Sequence, residues 1–160
     1  MSAFSAITAL EVGVLATIVM DVVAVAGIAL HVFRLPAFGR WFLYVFRGTV
    51  RHADIEETPA IRGEEGLTFP LHYLAGIALA ALYLLLLDGL SLGRGSLLLA
   101  TAYGTVTSLI PFLLMLPSMG YGWFGLGPSH RDTFWLRQIL AMHLAYGIGI
   151  GLVVPIFVTA

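Results

Sequence analysis

Four runs of apolar residues, at about 6–32, 71–87, 96–116 and 138–158, fill most of the 160-residue chain, and polar residues are swept into the connections between them. Within each run the apolar positions are continuous rather than alternating, which predicts helices and not barrel strands. About 20 residues carry a helix across a ~30 Å hydrocarbon core, so all four runs qualify as spans. The second run is the shortest and recruits Phe69 and Leu90. The chain is therefore read as an all-α integral membrane protein, with one four-helix transmembrane domain over residues 1–160 arranged as two tandem helical hairpins. Ala24-Val25-Ala26 has the look of a signal-peptide cleavage site. It is read instead as part of the first helix, because no basic stretch precedes it and the apolar run continues past it.

Composition narrows the class. The chain is 59% hydrophobic and 11% charged, against about 25% charged for a soluble domain, and its mean hydropathy is +0.96. A net charge of −1 argues against nucleic acid, which needs a basic surface. With no Cys, disulfides, iron–sulfur clusters, thiolate zinc sites and Cys nucleophiles are excluded.

Charge also predicts orientation. The first connection holds Arg34, Arg40, Arg47, Arg51 and Arg62, the third holds Arg131 and Arg137, and the second holds only Arg94. Basic residues collect on the cytoplasmic side, which puts connections one and three inside and both termini in the periplasm. Within connection one, residues 36–48 predict an amphipathic helix lying in the interface. Arg40, Tyr44, Arg47 and Arg51 share one face at spacings of four, three and four, and Trp41 and its apolar neighbours cover the rest. Such a segment lies flat with its guanidiniums among lipid phosphates. The acidic, turn-rich stretch from Asp54 to Gly66 reads as a solvated loop.

A fainter pattern suggests that the chain repeats once. Leu35-Pro36-Ala37-Phe38-Gly39 follows span one, and Leu116-Pro117-Ser118-Met119-Gly120 follows span three. His72 near the start of span two and His143 early in span four are each followed four residues later by Gly, at Gly76 and Gly147. Small residues at Gly76 and Ala80, and at Gly147 and Gly151, suit close helix contact. Pro111 inside span three predicts a kink.

Few polar residues lie where they must be explained. Asp21 sits near the middle of span one, where a carboxylate costs about 2.5–3.5 kcal/mol on insertion scales. It must face the bundle, either partnered or protonated: as a proton, ion or ligand site, or as a protonated Asp hydrogen-bonded to Thr17, Thr107 or Ser108. Glu11 lies nearer the outer interface. His72 and His143 occupy matching depths, where two imidazoles on facing helices suit a ligand, a metal ion or, as axial ligands, haem. Glu64 and Arg137 lie close enough in sequence to stand at the mouth of the same pocket. His52, His130, Arg131 and Asp132 read as solvated or headgroup-facing. No nucleophile elbow, phosphate loop or dinucleotide fingerprint is present.

From Gly39 to Gly76 the residues Gly39-Arg40-Trp41, Tyr44, Arg47-Gly48, His52, Ile55, Pro59, Gly63-Glu64, His72-Tyr73 and Gly76 resemble the DUF2938 family of small bacterial inner-membrane proteins. Ala16-Thr17 with Met20-Asp21 is similar to that family's first-helix motif. Pro117, Gly120, Gly122, Ser129, Arg137, His143 and Gly147 fall where its third connection and fourth helix would place them. The chain departs from the family after Ser129, where His130-Arg131-Asp132-Thr133-Phe134-Trp135 replaces a Thr-Pro-Asn-Pro run. The resemblance implies a four-helix bundle and no activity. It marks Asp21, Arg40, Arg47, His52, Glu64, His72, Arg137 and His143.

These observations lead to the expectation of a non-enzymatic, multi-pass protein of the bacterial inner membrane. Asp21, His72, His143, Glu64 and Arg137 would form a site for a small or lipid-like ligand. Arg40, Trp41, Tyr44, Arg47 and Arg51 would contact membrane lipids. Equally, the chain would serve as an accessory subunit of a larger membrane complex, or assemble as a homo-oligomer; the alternatives are a small proton-coupled transporter and a haem- or metal-binding electron carrier using His72 and His143.

Overall fold

The computed structural model describes residues 6–35, 37–93, 95–128 and 133–158. The readings made of Pro36, Arg94, Ser129, His130, Arg131, Asp132 and the two chain ends fall outside them. The described residues form helices, turns and irregular connections, with no strand among them. In chain order the α-helices are α1 (Ala6–Ala29), α2 (Phe38–Phe46), α3 (Glu64–Gly89), α4 (Leu97–Thr107), α5 (Leu116–Met119) and α6 (Phe134–Phe157). Four segments, Ala6–Ala29, Glu64–Gly89, Leu97–Met119 and Phe134–Phe157, are long and apolar enough to cross a membrane. The third consists of α4, a π turn at Pro111–Met115 and α5 in succession.

Local chemistry explains where these helices depart from the apolar runs. α1 stops at Ala29, short of residue 32, because the Gly27 carbonyl accepts the N–H groups of both Val32 and Phe33 while His31 turns back at φ +57°. The Phe33 ring then occupies the space beside Gly27 that a Cβ would need. α3 begins at Glu64 rather than near residue 71, so Glu64, Glu65 and Gly66 form its first turn and not a solvated loop. Gly63 supplies the left-handed entry at φ +90°, and the Glu64 carboxylate folds back to accept the Ile61 N–H at 2.7 Å. α6 begins at Phe134 rather than residue 138 because Phe134 and Trp135 are buried, with Trp135 stacked on Tyr121 at 4.8 Å between ring centroids.

Pro111 breaks the third span in a specific way. It has no N–H to give to the fourth carbonyl before it, and the chain responds by tightening and then widening. Ser108 N–H turns to the Thr105 carbonyl, and a π turn follows over Pro111–Met115. π turns of this kind take up a local mismatch inside an α-helix.

α6 lies at the centre of the packing, against both α1 and α4, and α1 also packs on α3, whereas α3 and α4 scarcely touch. The tight crossings run through small residues. A side chain at Gly104 would collide with the Gly147 backbone, and one at Gly147 would stand 2.6 Å from the Ala100 carbonyl oxygen. On the other side, a Cβ at Gly149 would lie 2.9 Å from Ala16 Cα, and one at Gly13 would lie 2.5 Å from Ile77 Cα. Close backbone approach of this sort is how helices gain dispersion energy in lipid, where water drives nothing together. The outer surface stays apolar, with Leu98 80% exposed, Val25 66% and Leu114 64%.

At the arginine-rich end the connections close over the bundle. His52 and Ile55 give their N–H groups to the Ser118 and Met119 carbonyls at 2.8 and 2.9 Å, satisfying the end of α5. Ile55 is fully buried in a cluster with Phe112, Met119, Tyr121 and Trp135. The Gln138 side chain both accepts from Arg34 N–H at 3.0 Å and donates to the Arg34 carbonyl at 2.8 Å, fastening the chain as it leaves α1.

Gly147→Leu should lower stability in detergent by about 1–3 kcal/mol, the ordinary cost of overpacking. Ile148→Leu on the outer face of the same helix should leave it unchanged. Parallel thermal unfolding of the two variants checks the assignment of this crossing.

Candidate functional site

The site begins with Asp21, on the face of α1 turned toward α3. One carboxylate oxygen lies 3.1 Å from His72 Nε2 and the other accepts the Tyr73 hydroxyl at 2.8 Å. Consecutive residues on α3 reach the same carboxylate from two sides, which supplies the partners that a carboxyl within a span requires. The Asp21 and His72 side chains remain 27% and 22% exposed. None of the expected partners is used. Thr17 donates to the Gly13 carbonyl, Thr107 to the Gly104 carbonyl and Ser108 to the Thr105 carbonyl. Each hydroxyl is held on its own helix because a nearby carbonyl there is the closer acceptor.

His143 projects from α6 toward α4, with its Nδ1 2.9 Å from Thr107 Oγ1. His72 and His143 line one cavity of about 310 Å³. It lies where α3 and the third span diverge, and Phe42, Ala75, Met115 and Met142 form part of its otherwise mainly apolar wall. Toward the other end of the bundle the gap is closed by Tyr103, whose hydroxyl donates to the Leu79 carbonyl at 2.7 Å and whose ring meets Tyr83 at 5.0 Å. Tyr146 bridges α6 to α3 through the Gly76 carbonyl.

Two of the residues expected at the pocket mouth stand elsewhere. Glu64 is held by Arg40, whose Nη2 and Nε lie 2.7 and 2.9 Å from its two carboxylate oxygens. The remaining Arg40 nitrogen faces the Thr58, Ile55 and Glu56 carbonyls at 3.0, 3.3 and 3.4 Å. The hydrogen bonds to Glu64 raise the Arg40 pKa above its already high value. Arg40 therefore faces into the protein and not toward lipid phosphates, because Gly39 brings α2 against the Glu64 carbonyl with no room for a side chain. Arg137 is exposed on α6 and is not part of the cavity wall.

The expected arginine face of the interfacial helix is also split. α2 ends at Phe46, so Arg47 is its C-cap and Arg51 lies beyond it; both are exposed. Trp41 gives its indole N–H to the Val50 carbonyl, and Tyr44 gives its hydroxyl to the Pro59 carbonyl. Across the connections, Tyr121 donates to the Glu56 carboxylate at 2.9 Å, and burial first, then that bond, raises its pKa.

Sequence reasoning missed Tyr73 as the second partner of Asp21 and Gln138 as the fastening of Arg34. The adjacency of Tyr73 to His72 was the available signal for the first. Nothing in the chain signalled the second, since Gln138 and Arg34 are far apart in sequence. Among the described residues no three His, Asp or Glu side chains gather into a metal cluster.

These features define the class: an all-helical protein with four membrane-length apolar helices and, among them, a cavity whose apolar wall carries a few polar side chains. The chain belongs to the family described as Protein of unknown function (DUF2938), which matches residues 10–157, nearly its whole length. No curated protein and no solved structure matches it.

Asp21→Ala should cost about 1–3 kcal/mol of stability by leaving the His72 and Tyr73 donors without an acceptor. Asp21→Asn, which keeps an oxygen for one of them, should cost less. Unfolding of the two variants in the same detergent measures the difference.

Proposed function

We propose that this protein binds a single-chain, lipid-like molecule in the cavity between α3, the third span and α6, and carries out no chemistry on it. The observation behind the proposal is the cavity itself. Its volume of about 310 Å³ and apolar wall with two imidazoles match the common form of a ligand site, in which a few polar groups orient a mostly apolar guest. The divergence of α3 from α4 gives an alkyl chain a sideways route from the bilayer. Neither a transported proton, a haem nor a partner subunit is needed to account for the cavity.

A diazirine-bearing C16 probe in phospholipid nanodiscs tests this. Crosslinks should map to the cavity wall, including Met115 and Met142. Ala78→Trp, which fills the cavity from an exposed position on α3, should reduce them by about tenfold with little change in melting temperature, the loss expected when about 1.4 kcal/mol of binding is removed. Labelling spread evenly over the outer surface would refute the proposal.

The accompanying topology is that of the bacterial inner membrane, with connections one and three in the cytoplasm and both termini in the periplasm. It is supported by the clustering of Arg in those two connections. Because the chain has no Cys, single substitutions report cleanly. Leu92→Cys should react with an impermeant maleimide in intact cells, and Thr49→Cys should react only after lysis.

A further inference from the structure

Every hydroxyl on the cavity wall has already committed its proton. The polar side chains there are Thr68, His72, Thr107, His143 and Tyr146. Each hydroxyl carries one hydrogen, and each gives it to a main-chain carbonyl: Thr68 to Glu64, Thr107 to Gly104 at 2.6 Å, and Tyr146 to Gly76. Thr107 therefore has no hydrogen left for His143, yet its oxygen lies 2.9 Å from His143 Nδ1. The imidazole must be the donor in that contact. This puts the proton of neutral His143 on Nδ1 and leaves Nε2 as a lone pair without a partner among the described residues. Across the cavity, His72 turns its Nε2 to Asp21 at 3.1 Å, so that nitrogen is engaged on the α1 side and not offered to a guest.

We infer that the cavity selects a molecule whose polar end is a hydrogen-bond donor, a long-chain alcohol or another hydroxyl-tipped lipid, with His143 Nε2 receiving the hydroxyl proton. This rests on the cavity being a ligand site, as proposed above. A guest ending in a carbonyl, ester or ether would bring an acceptor to the acceptor Nε2 of His143 and to hydroxyls whose protons are already spent, and its buried oxygen would go unsatisfied. Specificity of this type comes from the penalty on the wrong partner as much as from the bond to the right one.

Three C16 diazirine probes of equal length, a primary alcohol, its methyl ether and a methyl ketone, separate the possibilities in the full-length protein in nanodiscs. The alcohol should label the cavity wall about tenfold more than either of the others, the discrimination one buried unpaired oxygen provides. His143→Gln, which offers a donor, should narrow that gap or reverse it. Equal labelling by all three, or preference for the ketone, overturns the donor rule while leaving the cavity a ligand site. Absence of labelling in the cavity by any probe overturns the site itself. A measurement needing no variant is ¹⁵N NMR of the histidine side chains. Nδ1-protonated His143 is the expected form, and an Nε2-protonated ring would overturn the inference.

Discussion

Hydrocarbon offers a polypeptide no hydrogen bonds, so any backbone group released inside the bundle must be met by the protein itself. That constraint organises the interior. Pro111 interrupts the ladder of the third span, Ser108 N–H shifts to the Thr105 carbonyl, and the Thr107 hydroxyl takes the Gly104 carbonyl. With its proton spent, Thr107 becomes an acceptor for His143 on the neighbouring helix. The Gly104 carbonyl, left by the Ser108 N–H, is thus connected through the Thr107 hydroxyl to the imidazole in the cavity wall.

The cavity owes its existence to unequal packing. Small residues let α6 lie against α4 at Gly104 and Gly147, and against α1 at Ala16 and Gly149. α1 is drawn in the same way to α3 at Gly13 and Gly76. No comparable seam joins α3 to α4, where Tyr83 and Tyr103 hold the helices apart and the Tyr103 hydroxyl spans the gap to Leu79. Three close crossings and one propped-open side leave a space bordered chiefly by α3, the third span and α6, with Met20 of α1 and Phe38 and Phe42 of α2 at its margins. Asp21 is reached from α3 across the tight side, so the carboxylate orients His72 without itself lining the space.

Polar chemistry at the arginine-rich end serves a different purpose. Arg40 and Glu64 form a bidentate pair that joins α2 to the first turn of α3, and the spare guanidinium nitrogen gathers the carbonyls of the intervening loop. Planar, forked geometry makes arginine suited to this task. Once α2 is fixed, Phe38 and Phe42 border the cavity, so an ion pair outside the site sets part of its wall. The exposed Arg47 and Arg51 are left facing outward.

Hydropathy alone determined that the chain is helical with four membrane-length spans, because the cost of burying a charge in lipid acts on composition and needs no knowledge of neighbours. It also singled out Asp21, His72 and His143, since ionisable groups within or beside apolar runs are conspicuous for the same reason. Helix ends were less legible. The start of α3 depends on Gly63 and on a carboxylate turning back to Ile61, and the end of α1 depends on the Phe33 ring lying over Gly27. Partner choice was decided by tertiary structure alone. Glu64 looked equally able to serve a pocket or an arginine, and only the close approach of Gly39 to α3 assigned it to Arg40. Hydroxyls thought to face Asp21 were claimed by carbonyls on their own helices, leaving the carboxylate to Tyr73 and His72. A hydrogen bond depends on tenths of an ångström and on direction, and those are fixed by how helices cross, which a linear pattern of apolar and polar residues does not encode.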